Sequence, residues 1–414
     1  MSQNLITAFK NRGYFNQCTD INKLDNILNN KKISLYIGFD CTSDSLHVGS
    51  LLQIMCLRLF QKFGHTPIVL LGGGTTLIGD PSGKEETRKI LKKKEINKNA
   101  NGIKKVFNNF LSSKNKNQFK FVNNYDWLNK INYVEFLREY GKHFTINRML
   151  TFDSVKTRLD REQSLSFLEF NYMIFQAYDF LILNEKKSCE LQIGGSDQWG
   201  NILNGIELIR KINGNETFGL TTPLITTSTG AKMGKTEKGA VWLDKKKTSV
   251  YDYWQFWRNV EDIDVFKYLR LFTEIPISEI ESYEKEKNSS NINHFKILLA
   301  NTTTTILHGK KEANKAEITS KKTFDEKGFG ENLPTKTIKK TDVDKGISFN
   351  EIIKQIHFAS SNSDYRRNIL NRAYRINNEI VDDEKRILST SDFSVELTAK
   401  ISFGKKKHFL IKIG

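Results

Sequence analysis

The chain has 414 residues and a formal net charge of +17 at pH 7. Its hydrophobic content of 38%, with 28 Phe and 13 Tyr, excludes a disordered chain and allows two or three folded domains. The positive charge suits a polyanion such as nucleic acid, although a Lys- and Asn-rich surface produced by codon bias gives the same total.

Cysteine spacing and the N-terminal segment exclude several other classes of protein. The four cysteines are far apart, with no C-x-x-C and no His cluster beside them, so neither a zinc site nor a disulfide framework is expected. The N-terminus lacks the apolar core of a signal peptide, and no apolar run is long enough to cross a bilayer. We therefore expect a cytoplasmic protein that binds no structural metal and contacts no membrane.

Residues 33–84 have the pattern of a βαβ unit. ISLYIGF and PIVLLGG are predicted strands, and residues 46–63 between them form a predicted helix that ends at Gly64. His47 and Gly49 then fall in the first helical turn, where free backbone N–H groups attract phosphate. A capped helix with a surface histidine explains the same residues, so this motif alone leaves both interpretations open.

A glycine-rich loop, residues 72–84, follows the second predicted strand. It is no Walker loop, because Glu85 stands where Ser or Thr is required, and Leu77 occupies the last glycine position of the dinucleotide fingerprint. It still lies at the carboxyl end of a strand, where open α/β sheets bind ligands. The lysine-rich and mostly helical residues 85–163 are predicted to be an insertion in the sheet.

Three polar residues share one face of the next predicted helix. Tyr172, Gln176 and Asp179 stand at positions i, i+4 and i+7 among apolar neighbours. An unpaired buried polar group costs about 1–3 kcal/mol, so these side chains need hydrogen-bond partners. A small polar ligand would supply them, and so would water or neighbouring loops if this face is exposed.

Two further motifs follow this helix. In QIGGSDQWGN a predicted strand leads through a glycine pair to a helix start, where Ser196 and Asp197 serve as caps or as ligand groups. Lys232 and Lys235 stand three residues apart in a loop of Thr, Ser and Gly. Two such ammonium groups are able to hold a polyphosphate, although a solvated pair is the ordinary interpretation.

The remainder of the chain is predicted to fold in separate parts. Residues 226–325 have a helical pattern, and residues 326–346 have none, so we interpret them as a linker. Residues 347–414 contain two predicted helices, a hairpin that turns at Asn377-Asn378 and a final pair of strands.

Five stretches together, in sequence order, resemble the bacterial-type tyrosyl-tRNA synthetases of class I: LYIGFDCTSDSLHVGS, GGGTTLIGDPSGK, FNYMIFQAYDF, LQIGGSDQWGN and KMGKT. The resemblance covers nearly the whole chain. It implies a Rossmann-like parallel-sheet catalytic domain over residues 1–225, with the insertion as a dimer contact. It further implies an α-helical anticodon-region domain over 226–325 that carries the KMGKT loop, and a small α+β S4-like RNA-binding domain over 347–414.

The function implied by the resemblance is that of a tyrosine–tRNA ligase. Such an enzyme forms tyrosyl-adenylate from L-tyrosine and Mg²⁺-bound ATP, releases pyrophosphate, and transfers tyrosine to the 3′ end of tRNA(Tyr) as a homodimer. Tryptophan activation on the same fold is an alternative, but an indole offers only one N–H donor to Tyr36 and Asp179. An RNA-binding or structural protein without catalysis is another, and the retention of Lys84, Lys232 and Lys235 argues against it.

The resemblance also assigns roles to individual residues. The expected catalytic residues are His47, Lys84, Lys232, Lys235 and Thr236. The expected tyrosine-binding residues are Tyr36, Asp80, Tyr172, Gln176, Asp179 and Gln198. The expected ATP-binding residues are Gly38, Asp40, Thr42, His47, Gly49, Ser50, Gly195, Asp197 and Lys235. The expected RNA-binding residues are Arg366, Arg367, Arg372, Arg375, Lys405, Lys406 and Lys407.

Two positions depart from the commonest motifs of the resembled family. Ser50 replaces a histidine, and its hydroxyl is able to donate to phosphate but carries no imidazole charge. Gly234 is expected to add flexibility to the second motif, in which Thr236 keeps a hydroxyl and both lysines are retained.

Overall fold

The chain divides into two units, one of Met1–Thr248 with Trp257–Leu307 and one of Ser249–Phe256 with His308–Gly414. The computed structural model describes residues 4–80, 91–114, 117–228, 230, 233–236, 239–288, 291–324, 333–394, 397–404 and 407–414.

The first unit combines a six-stranded sheet with helices. Its strands are β1 (Gln17–Cys18), β2 (Ser34–Asp40), β3 (Thr66–Gly72), β4 (Lys120–Asn123), β5 (Cys189–Gly195), β6 (Phe218–Thr222), β7 (Lys235–Thr236) and β8 (Gly239–Ala240). The first ten α-helices are α1 (Leu5–Asn11), α2 (Ile21–Asn30), α3 (Leu51–Lys62), α4 (Lys93–Phe110), α5 (Tyr125–Leu128), α6 (Tyr133–Glu139), α7 (Ile146–Met149), α8 (Asp153–Asp160), α9 (Phe167–Lys187) and α10 (Trp199–Asn213). The next four are α11 (Val250–Arg258), which belongs mostly to the second unit, α12 (Val265–Phe272), α13 (Ile277–Glu286) and α14 (Ile292–His308).

The main sheet has the strand order β1-β6-β5-β2-β3-β4. All its pairs are parallel except β1 with β6. The chain moves outward from β2 to β3 and β4, and then returns to the other side of β2 with β5 and β6. The direction therefore reverses between β2 and β5, and open α/β sheets bind ligands at the carboxyl ends of such a strand pair. The predicted parallel α/β sheet is confirmed.

Helix α9 passes through the core beside this strand pair. It begins at a capping box in which Ser166 and Glu169 bond each other's backbone, and it ends at Ser188 in the left-handed conformation. Phe180 and Leu181 are fully buried in one cluster with β2, β3 and α10 residues. Because the helix is buried on this side, its polar residues Tyr172 and Asp179 are carried inside the protein.

Two details of the first half differ from the sequence-based expectation. The predicted helix over 46–63 is an α-helix only from Leu51, preceded by a 3₁₀ turn over Val48–Ser50, and His47 is extended. The insertion also contains β4, which pairs with β3 and so extends the main sheet.

The second unit contains a five-stranded sheet of order β12-β11-β14-β15-β9 and a two-stranded sheet β10-β13. Its strands are β9 (Thr335–Ile338), β10 (Ile347–Ser348), β11 (Tyr374–Ile376), β12 (Glu379–Val381), β13 (Ile387–Leu388), β14 (Thr398–Phe403) and β15 (Lys407–Ile413). Its helices after residue 308 are α15 (Lys310–Phe324), α16 (Lys340–Asp344), α17 (Phe349–Gln355) and α18 (Asn362–Leu370).

The predicted C-terminal helices, hairpin and final strand pair are all present. Asn377 and Asn378 both have positive φ, which is the backbone of a tight turn between β11 and β12. The expected linker differs, because β9 lies within it and pairs in parallel with β15. Leu333 is buried against Leu410 and Tyr251. Residues well before position 347 are therefore part of the fold of this unit.

Candidate active site

A cavity of about 490 Å³ opens at the carboxyl ends of β2 and β5, where the sheet reverses direction. Its walls come from both strands, from α9 and from the 3₁₀ turn after His47. Fourteen of the residues expected to bind tyrosine or ATP line it: Tyr36, Gly38, Asp40, Thr42, His47, Gly49, Ser50, Asp80, Tyr172, Gln176, Asp179, Gly195, Asp197 and Gln198.

The deepest acidic group in this cavity is Asp179, which is only 1% exposed. Its Oδ2 accepts a hydrogen bond from Asn124 Nδ2 at 2.8 Å, and its Oδ1 accepts one from Trp127 Nε1 at 2.7 Å. Burial raises the pKa of this carboxyl from 3.8 to about 7, although both donors act to lower the pKa. The carboxylate is therefore held in place by two fixed donors and retains lone pairs toward the cavity.

The Tyr36 hydroxyl lies beside this carboxylate. The residue is fully buried, and its Oη has no hydrogen-bond partner among the described residues. Burial, followed by the negative charge of Asp179, raises the pKa of the phenol well above its ordinary value. An unpaired buried hydroxyl costs about 1–3 kcal/mol, so a ligand that pairs with it recovers this free energy.

A second acidic residue, Asp40, stands at the end of β2. Its Oδ1 accepts from Thr75 Oγ1 at 2.8 Å, and its Oδ2 accepts from the Tyr172 hydroxyl at 3.3 Å. Asn124 also donates to Thr75 Oγ1, at 3.0 Å. One chain of hydrogen bonds thus joins Asp179, Asn124, Thr75 and Asp40 along one wall of the cavity.

Amide side chains form a second network in the cavity. Asn201 Nδ2 donates to Gln176 Oε1 at 3.0 Å and to Gln198 Oε1 at 3.1 Å. Gln198 Nε2 in turn donates to Asp80 Oδ2 at 3.0 Å. Asn201 therefore fixes the orientation of both glutamines. The Gln198 amide in turn holds the Asp80 carboxylate in place.

The motif that contains His47 and the motif that contains Gly234 meet at the mouth of the cavity. His47 Nδ1 accepts from Gly49 N at 2.9 Å, which caps the 3₁₀ turn. Gly234 has φ +82°, and a Cβ added there would lie 2.7 Å from Gly49 N. The expectation that Gly234 adds flexibility is therefore incomplete, because this backbone conformation and close approach both favour glycine. The two motifs belong to one site.

Several expected site residues cannot be placed. Lys84, Lys232, Lys405 and Lys406 lie outside the described residues, and so do the side chains of Lys235 and Thr236. No group of three or more His, Cys, Asp or Glu side chains that could hold a metal occurs among the residues that are described. Within that same part of the chain, no helix is long and apolar enough to cross a membrane.

Comparison with known proteins identifies the family. The model for class I tRNA synthetases of the tryptophan and tyrosine type matches residues 28–325. The chain belongs to this family. It is 58% identical to a tyrosine–tRNA ligase of Pelagibacter ubique over 99% of both chains, and 49% identical to one of Rhodospirillum rubrum over 99% of this chain and 97% of the relative.

A solved structure also resembles this class I synthetase. It is the C-terminally truncated mitochondrial tyrosyl-tRNA synthetase of Aspergillus nidulans, which is 30% identical and superposes with a TM-score of 0.70. The match covers 78% of this chain and 94% of that chain.

Sequence reasoning missed several residues that position the synthetase site. Asn124 and Trp127 hold Asp179, and Asn201 orients the two glutamines. Trp242 and Gln192 also line the cavity. A usable signal existed for the first two, since NYDW directly follows the short strand KFVN, and ligands bind where strands end.

The expected RNA-binding residues that can be placed lie on the second unit. Arg366 and Arg367 project from α18 and pair with Glu384 and Asp364, respectively. Arg372 is exposed just after this helix. Arg375 is partly buried on β11, paired with Ser402, and Lys407 Nζ lies 5.0 Å from the centre of the Phe403 ring on β14.

The raised pKa of Asp179 predicts a stabilising substitution. Ionisation of this carboxyl opposes folding above its ordinary pKa of 3.8, fully so above about pH 7. We expect Asp179→Asn to raise the free energy of unfolding by about 1–3 kcal/mol at pH 8, because an amide carries no charge but offers one acceptor for two donors. The gain should shrink as the pH falls toward 5, because the native carboxyl then becomes neutral.

Thermal melts of both proteins at pH 8, 6.5 and 5 measure this difference. Asp197→Asn, at a partly exposed position on the same cavity, is the matched control and should not raise the free energy of unfolding by a comparable amount. A loss of stability for Asp179→Asn at pH 8 would show that the ionised carboxylate supports the fold.

Proposed function

We propose that this synthetase is a tyrosine–tRNA ligase, which activates L-tyrosine with ATP and transfers the tyrosyl group to the 3′ end of tRNA(Tyr). Relatives that are 49–58% identical over nearly the whole chain have this name. The observation that carries the proposal is the Tyr36 hydroxyl, which is buried and unpaired among the described residues beside Asp179. A substrate phenol supplies a hydrogen-bond partner for both Tyr36 and Asp179.

The phenol end of the substrate lies between these two side chains. Its O–H donates to the Asp179 carboxylate, and its oxygen accepts from the Tyr36 hydroxyl. Phenylalanine lacks the hydroxyl, so it leaves the Tyr36 hydroxyl unpaired and gives Asp179 no third donor beside Asn124 and Trp127. Each lost interaction costs about 1–3 kcal/mol. An indole offers a single donor and no acceptor, so tryptophan leaves Tyr36 without a partner.

The α-amino group of tyrosine binds away from the phenol end of the cavity. Asp80, Tyr172 and Gln176 supply a carboxylate, a hydroxyl and an amide oxygen for its three N–H donors. Asn201 and Gln198 hold two of these groups in place through hydrogen bonds. The tyrosine carboxylate then points toward the mouth of the cavity, where Gln198 contacts it.

ATP occupies the end of the cavity that contains the 3₁₀ turn. The nucleotide-side residues are Gly38, Asp40, Thr42, His47, Gly49, Ser50, Gly195 and Asp197. The tyrosine carboxylate attacks the α-phosphorus, and pyrophosphate leaves from the opposite side. Catalysis of this step comes from positioning and from stabilisation of negative charge. The groups that hold the leaving pyrophosphate are Lys84, Lys232, Lys235 and Thr236, and Mg²⁺ enters bound to the ATP phosphates.

The second unit binds tRNA through an S4-like surface. Its cationic residues are Arg366, Arg367, Arg372, Arg375, Lys405, Lys406 and Lys407. Contacts to phosphate fix the orientation of a nucleic acid without reading its sequence. This assignment places the enzyme in the cytoplasm, where its tRNA and ATP are found.

The enzyme forms a homodimer through its insertion. Eight of the sixteen large apolar side chains that are exposed in the described residues fall between positions 133 and 168. Val134, Ile146 and Phe167 are 72%, 63% and 71% exposed. They lie on α6, α7 and the start of α9, three helices held together by one buried cluster. Exposed apolar side chains on neighbouring helices of this kind fit a second copy of the chain.

Pyrophosphate exchange into ATP tests the function. The unmodified protein should exchange in the presence of tyrosine and not of tryptophan, and should then charge tRNA(Tyr). Tyr36→Phe should raise the KM for tyrosine about tenfold, because one buried hydrogen bond is lost, and leave the KM for ATP unchanged. Exchange with tryptophan alone supports the other member of the family, and no exchange with intact RNA binding identifies a protein that has lost catalysis.

Sedimentation or light scattering tests the dimer. The double substitution Val134→Asp with Ile146→Asp puts two charges among these exposed apolar side chains and should weaken association at least about a hundredfold. Ile263→Asp is the matched control, since Ile263 is 78% exposed and lies outside this segment. A double variant that keeps the dimer mass would place the subunit contact elsewhere.

A further inference from the structure

The two nucleotide-side motifs are joined by a short stretch of paired backbone. Val48 N donates to Val241 O at 2.9 Å, and Leu243 N donates to Leu46 O at 2.9 Å. Val241 N donates in turn to Gly234 O, also at 2.9 Å. Residues 241–243 therefore connect the turn after His47 with the glycine of the lysine motif.

Side-chain contacts also join these two backbone segments. Lys247 Nζ contacts Asp44 Oδ1, and it lies 4.5 Å from the centre of the Trp242 ring. Trp242 lines the cavity and meets the His47 ring edge to face, with 6.0 Å between ring centres. The Lys247 ammonium group thus contacts Asp44 in one segment and Trp242 in the other. The side chains of Lys247 and Asp44 are each 31% exposed.

Helix α4 contacts the loop that contains Cys41 and Asp44. Asn99 Nδ2 donates to Cys41 O at 2.8 Å, and a Cβ at Gly102 would overlap the carbonyl oxygen of Asp44. Lys98 Nζ stands 4.0 Å from Asp44 Oδ2. The Asp44 backbone is therefore fixed by the insertion, and its carboxylate provides a rigid partner for Lys247.

We propose that Asp44 and Lys247 are positioning residues for the nucleotide end of the site. Their ion pair, with the Lys247 ammonium over Trp242, fixes residues 241–243 against His47 and thereby sets the distance between the two motifs that bracket ATP. Neither Asp44 nor Lys247 is among the described residues that line the cavity. This inference rests on the proposed tyrosine-activating function and adds two residues that act through Trp242 and His47.

A double-mutant cycle in tyrosine-dependent pyrophosphate exchange tests the proposal on the full chain. Lys247→Met and Asp44→Asn should each raise the KM for ATP about fivefold, which is the size that a partly exposed ion pair supports. The double variant should also show about a fivefold rise, because the second substitution removes nothing further. The Kd for tyrosine, measured by calorimetry, should stay within about twofold of the unmodified value, the experimental margin for an uncoupled site.

Lys246→Met is the matched control, because it removes the same charge from the adjacent exposed position. It should leave both constants unchanged. A double variant with about a 25-fold rise would show two independent effects and overturn the pairing. An equal loss of tyrosine affinity would show a general structural role, and unchanged kinetics would also contradict the proposal. Absence of exchange in the unmodified protein, in contrast, contradicts the proposed function itself.

Discussion

The chemistry of the site depends on one buried carboxylate that is held by fixed donors and left open on one side. Asp179 gives one oxygen to Asn124 and the other to Trp127, and burial raises its pKa to about 7. Beside it the Tyr36 hydroxyl has no partner among the described residues. Both features cost stability in the unliganded protein. Burial of the apolar residues of α9, β2 and β3 in the same cluster contributes the free energy that offsets this cost.

The same arrangement explains why recognition and activation share one cavity. The sheet reverses direction between β2 and β5, so the ends of two neighbouring strands diverge and leave room for a ligand. Tyr36 and Asp40 lie on one strand, four residues apart, and both point into that space. In the proposed function, a tyrosine bound at Tyr36 presents its carboxylate toward the residues that are proposed to receive the nucleotide.

Local patterns predicted much of this from the sequence. The buried strands β2 and β3 and the polar stripe of α9 follow from hydrophobic periodicity, which depends only on near neighbours along the chain. Pairings between segments that are far apart in the sequence were harder to predict. His47 is extended because its neighbours pair with residues 241–243, and β4 is a strand because it adds to the edge of β3.

The positioning residues escaped prediction for the same reason. Asn124 and Trp127 gain their meaning only when β4 brings them next to α9, and nothing in their own segment points to an acid on a helix 50 residues later. Within the presumed linker, β9 is formed by pairing with the last strand of the chain. The five motifs that resembled a known family predicted residues that line the cavity, and the structure was needed to show what holds them.

The most direct test of the central claim compares L-tyrosine with L-phenylalanine in calorimetric titrations of the unmodified protein without ATP. The two ligands differ only in the hydroxyl that is proposed to pair with Tyr36 and Asp179. The account predicts that tyrosine binds at least about a hundredfold more tightly, since phenylalanine leaves the Tyr36 hydroxyl unpaired and gives Asp179 no third hydrogen bond. Equal affinity for the two amino acids would contradict it.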